Sequence, residues 1–378
     1  MNRDTRRVYL DANATCPILP EVKAAMAAAL AVPGNASSIH REGRQARALI
    51  EQARRTILQA IDAGGANLYF TSGATEANNW ALTVPGPVLV SAIEHPSVLD
   101  ARIDAITMPV TRQGVADLAA LEVLIEQHEP RLVAVMLANN ETGIVQPIQE
   151  IAAICQRAGT ALHVDAVQAL GKIPLSFREL NCQSLSLSAH KCGGPAGIGA
   201  LVLAPGYQLE SLLRGGGQEQ RQRAGTENLA GIAGFAAAIQ HRLPPSIEGL
   251  RDQFEAALLT TLDDVWVVGQ DQPRLPNTSC IGISGIAAET ALMDLDLAGI
   301  AISSGSACSS GKVAHSHVLA AMGMAPPRLG EALRVSASWQ TTEADYRRLL
   351  AGLTSLQKRV TEARNADPDL VLTGENTT

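Results

Sequence analysis

The chain has 378 residues, of which 46% are hydrophobic and 18% are charged, and its formal net charge is -7. This length exceeds what one hydrophobic core usually serves, so we predict two domains. The acidic balance argues against a nucleic-acid binder, and the longest apolar runs reach only about half of the ~20 residues that cross a bilayer. The charged start, MNRDTRRVYL, lacks the apolar stretch of a secretion signal, so we expect a cytoplasmic protein.

Short apolar runs alternate with helix-like stretches through the first half of the chain. Residues 39–61 place apolar side chains at helical spacing and predict a helix, as do residues 145–159, where Gly159 is the predicted end. Runs rich in Val, Ile and Leu predict strands at 67–72, 87–92, 105–110, 131–138, 160–166, 184–189 and 200–204. Several of these runs show little alternation, which is typical of strands covered on both faces of a mainly parallel sheet.

The consecutive prolines in HRLPPSIEGL (241–250) indicate a domain boundary. After them, the pattern predicts a helix, two strands and two further helices. We therefore predict an α/β protein in which residues 16–247 form a large domain with a mainly parallel central sheet flanked by helices. Residues 1–15 and 248–378 are expected to form a smaller α+β domain.

The six cysteines form neither a C-x-x-C pair nor the spacing of a zinc site or disulfide framework, so we expect reduced thiols. Five lie among apolar or ordinary helix and strand residues and are predicted to behave as small hydrophobic side chains. Cys308 differs, because the Gly/Ser-rich segment 301–317 predicts a flexible surface loop whose hydroxyls and amides can support a thiolate. A linker with an incidental cysteine explains the same composition. His315 and His317 lack a third ligand of matching spacing, so we predict no metal site.

Several polar residues follow predicted strands, where α/β sheets bind their ligands. One strand leads into a helix near Ala74 and Thr75, whose free backbone N–H groups favour a phosphate, although a simple capped helix is the alternative. Asp165 ends another strand, where it can cap the next helix or hold a proton on a pyridine nitrogen. His95 and residues 139–141 end two further strands, and a structural role is the usual one for a histidine in that position.

Lysine is rare in this chain. The five lysines are Lys23, Lys172, Lys191, Lys312 and Lys358. Lys191 follows the run SLSLSA and precedes a glycine cluster, so it is predicted to lie at a strand end, whereas the others fall in helices, a turn or the Gly/Ser segment. A phosphate-binding helix start, a strand-end aspartate and a strand-end lysine are the three contacts that pyridoxal 5'-phosphate (PLP) requires. We therefore predict that Lys191 forms the Schiff base.

The motifs of this chain, and their order along it, resemble those of the cysteine desulfurases of the nitrogen-fixation and iron–sulfur-cluster type. These enzymes are a class V aminotransferase-like family of fold-type I PLP enzymes. The motifs are YLDANAT (9–15), GNASSIH (34–40), FTSGATEANN, EHPSVL, NNETG, HVDAVQ, SAHK, GGGQEQRQRAGTEN (215–228), SSGSACSSG and LRVSASWQTT (333–342). The resemblance implies a homodimer that converts L-cysteine into L-alanine and a persulfide on Cys308. It implies that an iron–sulfur scaffold or a thiolation enzyme accepts the sulfur. A selenocysteine lyase, a class V aminotransferase and an inert scaffold of the same fold remain alternatives.

The resemblance also implies a role for each site residue. The implied roles are Lys191 for PLP attachment; Cys308 as nucleophile; His95 stacked over the ring; Asp165 at the pyridinium nitrogen; Asn140 and Gln168 near the phenolic oxygen; Ala74, Thr75, Ser188 and His190 at the phosphate, with Thr226 supplied by the partner subunit; and Arg334 and Asn13 at the substrate.

Overall fold

The computed structural model describes residues 6–305 and 315–366. The strands are β1 (Val8–Tyr9), β2 (Asn67–Thr71), β3 (Val88–Ser91), β4 (Ile106–Met108), β5 (Leu132–Met136), β6 (Ala161–Asp165), β7 (Ser184–Ser188), β8 (Gly199–Leu203), β9 (Val265–Val267), β10 (Thr278–Ile283), β11 (Ile300–Ala301), β12 (Ser303–Ser304) and β13 (Leu333–Ser336). The helices are α1 (Pro20–Leu30), α2 (Arg41–Ala60), α3 (Ala74–Ala81), α4 (Pro96–Leu99), α5 (Leu118–His128), α6 (Ile148–Ala158), α7 (Phe177–Leu180), α8 (Leu229–Ala238), α9 (Ser246–Thr261), α10 (Ala288–Leu297), α11 (His317–Ala321), α12 (Pro326–Leu329) and α13 (Glu343–Ala366).

Within the described residues, a sheet of seven strands in the order β2-β8-β7-β6-β5-β3-β4 forms the centre of the fold. Strands β4, β3, β5, β6 and β7 pair in parallel, whereas β8 runs antiparallel to both β2 and β7. Each of the seven strands predicted between residues 67 and 204 is present, and the prediction of a mainly parallel sheet is confirmed.

The central strands are covered on both faces, which explains why their sequences do not alternate in polarity. In β5, Val133 and Val135 pack into one hydrophobic core, while Leu132 and Ala134 pack into a second core across the sheet. Because side chains of a strand point alternately to opposite faces, a strand between two apolar layers must be apolar throughout.

Helices cover the first of these cores. A buried stripe on α2 (Ala46, Ile50, Ala53 and Ile57) confirms the helix predicted over 39–61. Helix α6 ends at Gly159, as predicted, in the left-handed conformation (φ +69°) that favours glycine. It begins three residues later than predicted, because Pro147 precedes its first turn and Val145 forms a bridge with Ala138 instead. No helix within residues 6–305 and 315–366 combines the length and apolarity needed to cross a bilayer.

A smaller antiparallel sheet, in the order β12-β13-β10-β9, is built from the second part of the chain. Its core joins Leu10 from the N-terminal segment to Ile281 and Leu349, and β1 pairs in parallel with β11. Helix α9 begins at Ser246, and Ile247 packs in this same core, just before the expected boundary. The division into a large domain (16–247) and a small domain (1–15 and 248–378) remains our proposal.

Candidate active site

A cavity of about 430 Å³ lies at the carboxyl ends of β2, β3, β5, β6 and β7, where they meet the N-terminal segment and β13. Most of the predicted site residues line it together. These residues are Asn13, Ala74, Thr75, His95, Asn140, Asp165, Gln168, Ser188, His190, Lys191 and Arg334. The side chains come from distant parts of the sequence and converge because the parallel strands end at one edge of the sheet.

Lys191 ends a short 3-10 turn that directly follows β7. Its Nζ donates hydrogen bonds to the backbone oxygens of Asn13 (2.7 Å) and Ala14 (2.9 Å). The glycine cluster behind it is required sterically, since a Cβ on Gly194 would lie 2.8 Å from the Cβ of Ala189. The close turn thus presents the lysine to the cavity and leaves the N-terminal segment beside its amine.

Asp165 is the last residue of β6 and is buried. Asn78 Nδ2 donates to Asp165 Oδ2 (2.8 Å), and the backbone N–H of Val167 donates to Oδ1 (2.9 Å). The side chain of Asn78 is itself held by His163, because Asn78 Oδ1 lies 3.1 Å from His163 Nε2. His163 is buried, and burial lowers its pKa to about 3. His163 is therefore neutral and donates to Asn78, which fixes the orientation of that amide toward Asp165. Both carboxylate oxygens of Asp165 accept hydrogen bonds, so the orientation of the carboxyl group at the cavity is fixed.

His95 caps α4 and lines the cavity. The backbone N–H of Ser97 donates to its Nδ1 (3.1 Å), so the neutral ring carries its proton on Nε2. Burial lowers the pKa of His95, and the charge of Lys191 lowers it further against the opposing effect of Asp165. The ring is thus neutral near pH 7, with Nε2 as the nitrogen available to a ligand.

Arg334 is the most buried cation of the site, with 2% of the residue exposed. It donates to Asp11 Oδ1 (2.8 Å) and, through the other terminal nitrogen, to the backbone oxygen of Asn140 (3.2 Å). Its Nε is buried and has no hydrogen-bond partner in the described part of the chain. A buried donor without a partner is costly, so this guanidinium fits an anionic ligand that completes its contacts.

The first turn of α3 contributes Ala74 and Thr75 to the cavity, opposite Ser188 and His190. The first N–H groups of a helix have no partner within the helix and attract anions. Burial, with the charge of Lys191, lowers the pKa of His190 to about 4. The strand–helix junction therefore lies at the cavity together with these side chains, and its role as a phosphate site stays a prediction.

One predicted residue among those that the structure describes, Thr226, does not line this cavity. Thr226 is exposed and lines a neighbouring cavity of about 200 Å³ that shares Ser72 and Gly197 with the main one. Cys308 lies outside the described residues. The other five cysteines are all buried, which confirms the prediction that they pack as core side chains, and burial raises the pKa of each thiol.

The structure adds Lys172, which the sequence placed in an ordinary turn. Its Nζ donates to Asn13 Oδ1 (2.7 Å) and to Gln168 Oε1, so a second amine lies directly behind the cavity. The sequence signal that could have indicated Lys172 is its position four residues after Gln168, in the turn that follows the strand ending at Asp165.

The structure also assigns a contact to Glu141, a strand-end residue of the NNETG motif. Ser316 Oγ donates to Glu141 Oε2 (2.5 Å), and a Cβ on Gly305 would lie 2.6 Å from the same oxygen. Burial raises the pKa of Glu141 to about 7, against the opposing effects of Ser316 and Arg334. One carboxyl group therefore accepts a hydrogen bond from Ser316 and lies close to Gly305, near both described ends of the Cys308 segment.

Comparison with known proteins agrees with this geometry. Residues 8–349 match the class-V aminotransferase family. A cysteine desulfurase from Sinorhizobium fredii is 39% identical over 382 residues, covering 95% of this chain and 98% of the relative. The solved NifS-like protein from Rickettsia africae is 34% identical with a TM-score of 0.88, covering 93% of this chain and 100% of that one. A structure of SspA in complex with cysteine is 27% identical with a TM-score of 0.78, covering 89% of this chain and 100% of that one. The chain belongs to the class-V aminotransferase family and, within it, to the cysteine desulfurases.

Proposed function

We propose that this chain removes sulfur from L-cysteine with PLP, giving L-alanine and a persulfide on Cys308. The observation that carries the proposal is the convergence of Lys191, Asp165 and Arg334 on one cavity that also contains a helix start. The family consists of PLP enzymes, and the related SspA was solved with cysteine bound. We further propose that the sulfur passes to an acceptor protein, such as an iron–sulfur scaffold.

The residues of the cavity fit PLP in three places. The amine of Lys191 would attach it, the start of α3 with Ser188 and His190 would hold its phosphate, and Asp165 would pair with its ring nitrogen. Asn140, Gln168 and the neutral ring of His95 would complete the walls. When bound, PLP supplies an electron sink for negative charge at the substrate Cα.

The residues of the chain would then bind and orient the substrate. Arg334 would take the carboxylate of L-cysteine with a buried guanidinium that already has one unpartnered donor. The amine of Lys191, displaced by the substrate amine, would move the Cα proton. Its hydrogen bonds to the backbone oxygens of Asn13 and Ala14 would hold it near the cavity during this transfer.

The sulfur transfer balances without an external oxidant. The thiolate of Cys308 attacks the sulfur of L-cysteine, so a sulfur–sulfur bond forms as the carbon–sulfur bond breaks. The electron pair of the broken bond stays with the carbon, which takes a proton and becomes the methyl group of alanine. The carbon is reduced by two electrons as its bond to sulfur is replaced by a bond to hydrogen, and the two sulfurs of the persulfide are oxidised by the same two electrons. A second thiol can collect the sulfur later.

The direct test is mass spectrometry of the full chain after exposure to L-cysteine. We expect Cys308 to gain one sulfur atom while alanine accumulates in solution. The buried cysteines are internal controls and should remain unmodified. Release of a keto acid without added sulfur on the protein would indicate an aminotransferase instead.

A further inference from the structure

A second lysine lies beside the lysine of the proposed reaction. Lys172 and Lys191 approach Asn13 from different sides, because Lys172 Nζ donates to the side-chain oxygen and Lys191 Nζ donates to the backbone oxygen. Gln168 joins them, since its Oε1 accepts from Lys172 and its Nε2 donates to the backbone oxygen of Asn13 (3.1 Å). The two amines therefore share one hydrogen-bonded cluster.

The contacts of Lys172 fix two amide groups of the cavity. Because the oxygen of Asn13 faces Lys172, its Nδ2 is directed to the backbone oxygen of Asn140 (3.2 Å) and to Thr278 Oγ1 (2.9 Å). Without the lysine, the remaining donor to Asn13 Oδ1 within the described residues is Asn277, at 3.2 Å. Lys172 is thus the strongest donor that determines how these amides face a ligand.

The electrostatic setting of Lys172 is cationic. Burial, with the charge of Lys191, lowers the pKa of Lys172 to about 7. The other ionisable groups that act on it are Arg334, which lowers the pKa further, and the thiols of Cys16 and Cys192, which raise it. Repulsion between neighbouring cations is mutual, so each amine also favours the neutral form of the other. A neutral amine is the nucleophilic form.

We propose that Lys172 is a positioning residue whose amine orients Asn13 and Gln168 and places a second cationic group beside Lys191. This inference rests on the proposed function, because it takes Lys191 as the residue that attaches PLP. Lys172 itself does not contact the substrate; it acts through the two amides and through its charge. Its effect is expected on the ease with which Lys191 reacts, rather than on the stability of the fold alone.

The first experiment follows attachment of PLP to the full-length, cofactor-free chain from pH 6 to pH 10 by absorbance. We expect Lys172→Met to slow attachment about tenfold at pH 6, where Lys172 is charged, and much less at pH 9, where its amine is neutral, so the midpoint of the pH profile moves upward. Lys172→Arg keeps a cation at every pH of the range and should move the midpoint below that of the native chain. Lys358→Met removes a lysine that pairs with Glu362 on exposed α13 and serves as the matched charge control. A structural defect would not move the two Lys172 variants in opposite directions.

The second experiment uses the native chain and does not depend on any variant folding. Competitive labelling of the cofactor-free chain with trace acetic anhydride, quantified at each of the five lysines by mass spectrometry, titrates every amine separately. We expect Lys172 to titrate near pH 7, well below the ordinary range of a lysine amine. Titration of Lys172 near pH 10 would overturn the inference.

Failure of the inference can be told from failure of the proposed function. Borohydride reduction after PLP loading, followed by peptide mapping, identifies the lysine that carries the adduct. An adduct on Lys191 with an unchanged pH midpoint in Lys172→Met overturns the positioning role alone. An adduct on Lys172 in the native chain overturns the assignment of Lys191, and with it both proposals.

Discussion

Replacement of Glu141 by glutamine tests whether this buried acid carries its proton near neutral pH. Burial raises its pKa from 4.5 to about 7 in the folded chain. Between those values the folded state keeps a proton that the unfolded state has lost, so rising pH destabilises the fold across this window. A difference of about 2.5 pKa units corresponds to about 3 kcal/mol of stability, lost as the pH rises from 4.5 through 7.

The assay is urea unfolding of the cofactor-free full chain at pH 5 and pH 8, for the native sequence and for Glu141→Gln. The amide still accepts from Ser316 but does not titrate, so the variant should lose about 3 kcal/mol less than the native chain between the two pH values. Ionisable groups that the two proteins share contribute equally to the stability that each loses between pH 5 and pH 8, so their contributions cancel in the comparison. Glu126→Gln, on the exposed side of α5, controls for loss of one negative charge. Equal losses in the native chain and Glu141→Gln would refute the reasoning.

Four further outcomes concern the reaction. Lys191→Ala should lose covalent PLP, and a borohydride-reducible adduct on another lysine would contradict this. Cys308→Ser should keep PLP and its absorbance response to L-cysteine yet release no sulfide; undiminished sulfide release would exclude Cys308 as the nucleophile. Arg334→Lys should raise KM for L-cysteine about tenfold with a smaller change in kcat, because an ammonium cannot reproduce the planar fork of donors, and an unchanged KM would remove Arg334 from the substrate site. The family resemblance implies a homodimer in which Thr226 reaches the partner's site, so a mixture of Lys191→Ala and Thr226→Ala chains should recover activity that neither parent shows, through a site with a native Lys191 and a native Thr226 from the other chain; no recovery would contradict this implied contact.

The sequence predicts the large sheet well because its evidence is local. Each strand of that sheet is a short apolar run between turn residues, and strand ends of a parallel sheet necessarily meet at one edge. Asp165 and Lys191 could therefore be placed near each other without knowing the path of the chain between them. The start of α6 was misjudged because helical spacing continues through Pro147, which instead precedes the first turn.

Contacts between distant segments could not be predicted in this way. Lys172 meets Asn13 only because the N-terminal segment crosses the edge of the large sheet, and no periodicity records that crossing. Glu141 meets Ser316 across 175 positions of sequence. Neither contact could be read from the sequence, because the partners Asn13 and Ser316 come from the other predicted domain, whose placement depends on packing rather than on local pattern.

The carboxyl group of Glu141 accepts a hydrogen bond from Ser316 and lies close to Gly305, so both described ends of the Cys308 segment sit against the framework at one place. When both ends of a connection are fixed on the framework, lengthening it adds only a small closure entropy, roughly 0.6 kcal/mol for each doubling. The stretch between these two ends can then diverge in length and sequence while the cavity stays intact.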